Sequence, residues 1–70
     1  MSPRPAVVCS YERRDGRIVG RCAELDLTTR AWMGRMEAEE EITRAVLARL
    51  RMRPDDVVFV HAATVEIATA

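Results

Sequence analysis

Four kinds of side chain in this sequence have types and spacings that do chemistry in other proteins: one histidine, two cysteines, a run of glutamates and a set of arginines. His61 is the sole histidine, and with no nucleophile or carboxylate cluster beside it in the sequence it makes neither a catalytic triad nor a zinc site. It falls on the apolar stripe of the last strand-like run, where a hydrogen-bonded, semi-buried imidazole is the role expected. Cys9 and Cys22 lack the neighbouring His or acid that a metal site of two thiols would need. Glu37, Glu39, Glu40 and Glu41 open a helical stretch, where Glu37 shares a face with Glu40 and Glu41. Paired carboxylates on one face can act as acid and base or hold a cation. Nothing else in the sequence converges on these, and acids in the first turn are what the helix dipole favours.

Arg13, Arg14, Arg17 and Arg21 gather around one predicted turn. They read either as a patch for phosphate or an acidic partner, or as a solvated sheet face on which Glu12 bridges diagonally to Arg21. No aromatic residue interleaves with them and the net charge is zero, both of which argue against nucleic acid. Trp32, the sole tryptophan, is either an interface aromatic or an anchor for the link between strand and helix. Walker, Rossmann, nucleophile-elbow and Cys-x-x-Cys patterns are absent. The expectation is therefore a chain with no catalytic residue, no cofactor and no metal, whose partner-binding residues are Glu12, Arg17, Arg21 and Trp32.

The elements that must position these residues begin with Asp15-Gly16. Asp-Gly is a hairpin signal because a type I′ turn needs φ > 0 at both central positions. Two β-rich runs flank it, Ala6 to Arg13 and Arg17 to Glu24. A two-residue turn pairs Arg14 with Arg17, Arg13 with Ile18, Tyr11 with Gly20, Cys9 with Cys22 and Val7 with Glu24. That register puts Val7, Cys9, Tyr11, Ile18, Gly20 and Cys22 on one face, and Ser10, Glu12, Arg14, Arg17, Val19 and Arg21 on the other. A slip of one residue destroys the separation. It also sets Cys9 against Cys22 at a non-hydrogen-bonded pair, with Cα atoms about 4.5 Å apart, so a cross-strand disulfide and two reduced core thiols are both open. A reducing compartment favours the thiols.

Beyond the hairpin, Leu25-Asp26-Leu27 reads as a bend and Thr28 to Trp32 as a short third strand. Gly34 breaks the chain. The convincing helix runs from about Met36 to Met52, with Ala38, Ile42, Ala45, Val46, Arg49 and Leu50 at helical spacing, Leu47 widening the stripe, and Glu40 and Arg44 set to pair. Pro54 stops it. From Val57 the period returns to two, placing Val57, Phe59, His61, Ala63, Val65 and Ile67 on one face, with a bulge expected near His61-Ala62-Ala63. The order β-β-β-α-β is an α+β fold with one helix packed on one face of a single sheet.

Composition bounds the rest. Seventy residues make one domain, 1–70, with residues 1–5 expected to fray around Pro3 and Pro5. A chain this small buries only about 60% of its unfolded surface, which makes self-association a common remedy. All 11 basic residues are Arg, in keeping with GC-rich coding. The charge is uneven: residues 1–35 carry seven Arg and four acids, residues 36–70 four Arg and seven acids, a swing from +3 to −3. No apolar stretch suits a signal peptide or a membrane span, so the expected location is the cytoplasm.

The run Val8-Cys9-Ser10-Tyr11-Glu12, then Asp15-Gly16, then Val19-Gly20-Arg21-Cys22-Ala23-Glu24-Leu25 resembles the start of HicB-type antitoxins, and Glu40-Glu41-Ile42-x-x-Ala45-Val46 resembles their helix. The resemblance covers residues 6–50. It implies a truncated ribonuclease-H-like sheet, four strands in the order 3-2-1-4, with the last strand beside the first. Two departures stand out: the family's bend continues Leu-Pro-Gly where this chain has Leu25-Asp26-Leu27, and its helix starts from a Thr cap where this chain has Gly34. Full antitoxins of the family carry a C-terminal DNA-binding domain; here the sequence runs only a few residues past Ile67, so neither a separate DNA-binding domain nor DNA repression is expected.

The resemblance implies a non-enzymatic, antitoxin-like interaction domain that forms a homodimer or higher oligomer and neutralises a small toxin ribonuclease. The alternative is a stand-alone regulatory or inhibitor module, for instance phage-borne, that binds a different protein partner. A small hydrolase or nuclease is the third class, and no constellation of residues supports it.

Overall fold

The computed structural model describes residues 3–68. Its elements are β1 (Ala6–Arg14), β2 (Arg17–Cys22), a 3-10 turn (Ala23–Leu25), β3 (Leu27–Thr28), α1 (Arg35–Leu50), a second 3-10 turn (Pro54–Asp56) and β4 (Val58–Glu66). They form one four-stranded sheet in the order β3-β2-β1-β4, with β4 parallel to β1 and the other pairs antiparallel. The single helix covers one face. This is the α+β architecture and strand order expected above.

The hairpin follows from local chemistry. Asp15 has φ 53° and Gly16 has φ 76°, both positive as a type I′ turn requires, and Arg14 pairs with Arg17, Arg13 with Ile18 and Tyr11 with Gly20. The predicted core face is buried throughout: Val7, Cys9, Tyr11, Ile18 and Cys22 are at most 5% exposed, and Gly20 lies between them. The ladder is shorter than expected, because β2 ends at Cys22 and Glu24 lies in the 3-10 turn that Asp26 closes at φ 56°. Val7 therefore has no strand partner in Glu24. The bend at residues 25–27 is where it was expected.

The third strand is also shorter than the run Thr28 to Trp32. Thr29 interrupts it by using its side chain where a strand would use backbone: the Gly20 N–H donates to Thr29 Oγ1 at 2.9 Å, while the Thr29 N–H donates to the Gly20 carbonyl at 2.8 Å. Trp32 then rejoins the sheet as an isolated bridge, exchanging two backbone hydrogen bonds with Ile18 at 2.7 and 2.8 Å. Gly20 lies close beneath the helix. A Cβ there would lie 3.1 Å from Tyr11, 3.3 Å from the Thr29 methyl and 3.4 Å from the Ala38 carbonyl.

Helix α1 buries Ala38, Ile42 and Val46, one residue per turn, against this face. Ala45 is half-buried and Arg49 exposed, so the buried stripe is narrower than the spacing suggested. Gly34 begins the helix in extended geometry, without a side-chain cap. The helix ends at Leu50, ahead of Pro54, because Arg51 turns left-handed at φ 54° and its N–H bonds back to the Leu47 carbonyl. Pro54 instead starts the second 3-10 turn.

Strand β4 carries the expected bulge. Cys9 aligns with His61, but Tyr11 aligns with Thr64. The extra residue reverses the side-chain alternation of the strand's second half. Val65 therefore aligns with Glu12 on the open face and is 57% exposed, whereas Thr64 and Glu66 align with Tyr11 and Arg13 on the helix side. The uninterrupted stripe through Val65 is corrected accordingly. At the chain start, the Pro5 carbonyl accepts from the Val58 N–H at 2.9 Å and Arg4 donates to the Asp55 carbonyl at 3.2 Å, so residues 4 and 5 are tied down. Met1 and Ser2, the rest of the expected frayed start apart from Pro3, lie outside the described residues.

Candidate interaction surface

Of the four residues expected to bind a partner, the fold gathers three. Glu12 on β1 and Arg17 and Arg21 on β2 share the face of the sheet that the helix leaves open. Arg17 and Arg21 are exposed and Glu12 is half-buried. Trp32 lies elsewhere. Its bridge to Ile18 turns it to the helix side, where its indole Nε1 donates to Glu41 Oε1 at 2.7 Å. Trp32 is half-buried there and packs against the core, the anchoring role weighed above.

The open face divides into two parts. Toward the hairpin tip it carries Glu12, Arg14, Arg17 and Arg21; toward the far end and β4 it carries Val8, Val58, Val60 and Val65, each between 43% and 57% exposed. The ion pairs found among the described residues are Arg13–Glu66 and Arg35–Glu39, and neither the expected Glu12–Arg21 bridge nor Glu40–Arg44 is among them. Arg21 points into solvent, and its backbone carbonyl is within 3.5 Å of the Ser10 hydroxyl.

On the helix side, Trp32 sits in a groove of about 200 Å³ lined by Arg30, Glu37, Glu40, Glu41 and Arg44. Glu41 ties this groove together, accepting from the Trp32 indole and, at 3.2 Å, from the Arg30 N–H. The Arg30 guanidinium lies 5.1 Å from the indole centroid, a cation–π contact. The groove continues along the outer flank of α1 into a shallower one of about 410 Å³ lined by Met36, Glu39, Glu40, Thr43, Arg44 and Leu47. Met36, in its lining, is 71% exposed, and Met33, next to Trp32 in the chain, is 70% exposed. The glutamates of the helix start thus share this flank with Arg30 and Arg44 and with the apolar side chains of Trp32, Met36 and Leu47.

A polar seam joins α1 to β4. The Tyr11 hydroxyl and His61 Nδ1 share a hydrogen bond of 2.7 Å, and the Phe59 and His61 rings stack with centroids 5.9 Å apart. Arg35 caps the Tyr11 ring at 4.3 Å, donates to Thr64 Oγ1 at 3.0 Å and pairs with Glu39 at 2.6 Å. His61 is hydrogen-bonded as expected but exposed rather than half-buried, because β4 is the edge strand. Sequence reasoning missed Arg35. Its partner Thr64 reaches the helix side only through the bulge, and a bulge gives no pairing signal of its own.

The two titratable groups pushed furthest both sit in the core. Burial, with smaller contributions from Cys22 and Glu39, pushes the Cys9 thiol up to about 11. Burial also pushes the Tyr11 phenol up, reinforced by Cys9 and Glu39 and opposed by Arg35. Both groups are therefore held protonated at neutral pH, which keeps Cys9 a poor nucleophile. Cys9 and Cys22 are free thiols, both fully buried. No group of three or more metal-ligating side chains occurs among the described residues, and none of their helices is long and apolar enough to cross a membrane. Comparison of this chain with protein-family models, with curated proteins and with solved structures returns no match.

Proposed function

We propose that this chain is a non-enzymatic, antitoxin-like interaction domain, acting in the cytoplasm, that binds and neutralises a small basic toxin ribonuclease. The observation that carries the reading is the flank of α1, where Glu37, Glu40 and Glu41 outnumber Arg30 and Arg44 around Trp32 and the groove continues past Glu39 to exposed Met36. Methionines adapt to irregular apolar partners, and carboxylates around them select a basic one. The strand order 3-2-1-4 that the HicB resemblance implies supports the same reading, although a fold by itself hosts many functions. A binding role rather than catalysis fits a chain whose core thiol and phenol are held protonated and whose one histidine is bonded to that phenol. Reduced, buried cysteines suit a reducing compartment.

The test is capture of tagged protein with its stoichiometric partner from the native lysate, followed by a ribonuclease assay on that partner. Recovery of a small basic ribonuclease that the chain inhibits, with inhibition lost in Glu37→Arg/Glu40→Arg, is the expected result. A different stoichiometric partner would move the reading to the regulatory or inhibitor module. Inhibition untouched by the double reversal would remove the α1 flank from it.

A further inference from the structure

We propose that the free edge of β4 is where a second copy of this chain pairs antiparallel to it, joining two four-stranded sheets into one of eight strands. This inference does not depend on which protein the α1 flank binds.

The outward row of hydrogen-bonding groups on β4 can be read from its inward ones. The Val58 N–H donates to the Pro5 carbonyl and the Ile67 N–H to the Arg13 carbonyl, both at 2.9 Å. Backbone groups alternate in direction along a strand, so those of Phe59, His61, Thr64 and Glu66 point away from β1, and no described strand lies on that side. Edge strands in natural proteins are usually blunted by brevity, by charge, by proline or by a bulge, and of these β4 from Val58 to Val65 has only the bulge. The opposite edge, β3, is two residues long. Strand β4 is nine residues long, contains no proline, and from Val58 to Val65 has no Asp, Glu, Lys or Arg. Its one charged residue, Glu66, is paired with Arg13. An antiparallel copy would thus meet no like charge along the strand. The bulge at the centre leaves a regular stretch on either side of it.

The area is sufficient for a specific contact. Nine residues at about 3.3 Å each give an edge about 30 Å long. With a molecular thickness of 16 Å, that edge is a wall of about 500 Å² on each copy, about 1,000 Å² in all, the lower bound of a specific interface. Pairing also brings Val58, Val60 and Val65 of both copies into one apolar strip on the open face.

The experiment is sedimentation velocity through the micromolar range, with residue-resolved amide exchange at both ends of the series. The expected result is a mass rising from 7.9 kDa toward twice that value, with the Phe59, His61 and Thr64 amides protected only at the high end. Val60→Lys/Val65→Lys, which places two charges on exposed edge-strand positions, should remain folded by circular dichroism and stay monomeric. A monomer at every concentration would overturn the proposal. So would a dimer whose edge amides exchange freely, since the copies would then meet at another surface.

Discussion

The two faces of the sheet are built from alternate residues of the same strands, yet they do opposite work. On the face under α1, Cys9, Cys22, Ala38, Ile42 and Val46 are completely buried, and no buried side-chain polar atom among the described residues lacks a partner. On the open face, the same strands present Glu12, Arg17, Arg21 and four half-exposed valines. The difference teaches where stability and recognition are separated in a domain with one helix. Nearly all the burial is on one side, so the other side and the β4 edge can vary with the partner at little cost to the fold.

That contrast breaks most visibly in the core. Ile42→Ala removes a fully buried side chain, and a change of this kind costs about 2–5 kcal/mol. Domains carry roughly 0.05–0.15 kcal/mol of stability per residue, so this variant should lose a large share of its stability, read as a much lower midpoint in a urea titration. Alkali probes the same face. Cys9 is pushed up to about 11 in the folded protein, against its ordinary 9.0, so the folded state binds the extra proton between these values. Its contribution is complete below the unfolded value and disappears as pH rises through the folded one. The thermal midpoint should hold to about pH 9 and then fall by the equivalent of about 2–3 kcal/mol as pH approaches 11, and Cys9→Ala should flatten that slope.

A smaller effect is expected between the faces, at the hairpin tip. No atom lies within 4 Å of a Cβ built at Gly16, so Gly16→Val meets no clash and pays only for positive φ, about 1–2 kcal/mol in thermal unfolding. The open face should be the least sensitive: Arg17→Ala is expected to shift stability by no more than about 0.5 kcal/mol in the same assay. A large loss there would mean that the open face shares in stability, and the contrast would fail.

The hairpin, its register and the identity of the core face were legible because they rest on local rules: Asp15-Gly16 sets the turn, and alternation assigns Val7, Cys9, Tyr11, Ile18 and Cys22 to one side. The helix was legible from Ala38, Ile42 and Val46, but its end was not, because Arg51 adopts a left-handed cap that its residue type does not announce. Trp32 was grouped with Glu12, Arg17 and Arg21 on chemical type. Thr29 breaks the third strand before Trp32 is reached, and the bridge to Ile18 then puts the indole on the other side of the sheet. The seam of Tyr11, Arg35 and Thr64 was invisible for a related reason, since it joins residues 24 and more positions apart and its Thr64 is set on the helix side by a bulge.

By itself, then, the sequence determined what neighbours along the chain can impose: a tight turn through φ > 0, two periods of apolar residues, and from these the α+β class. Tertiary structure alone decided which edge was left open, which side of β4 faces the helix beyond the bulge, and which glutamates surround Trp32. The physical reason is that these are set by packing between segments far apart in sequence, where one extra residue in a strand reverses every side chain after it.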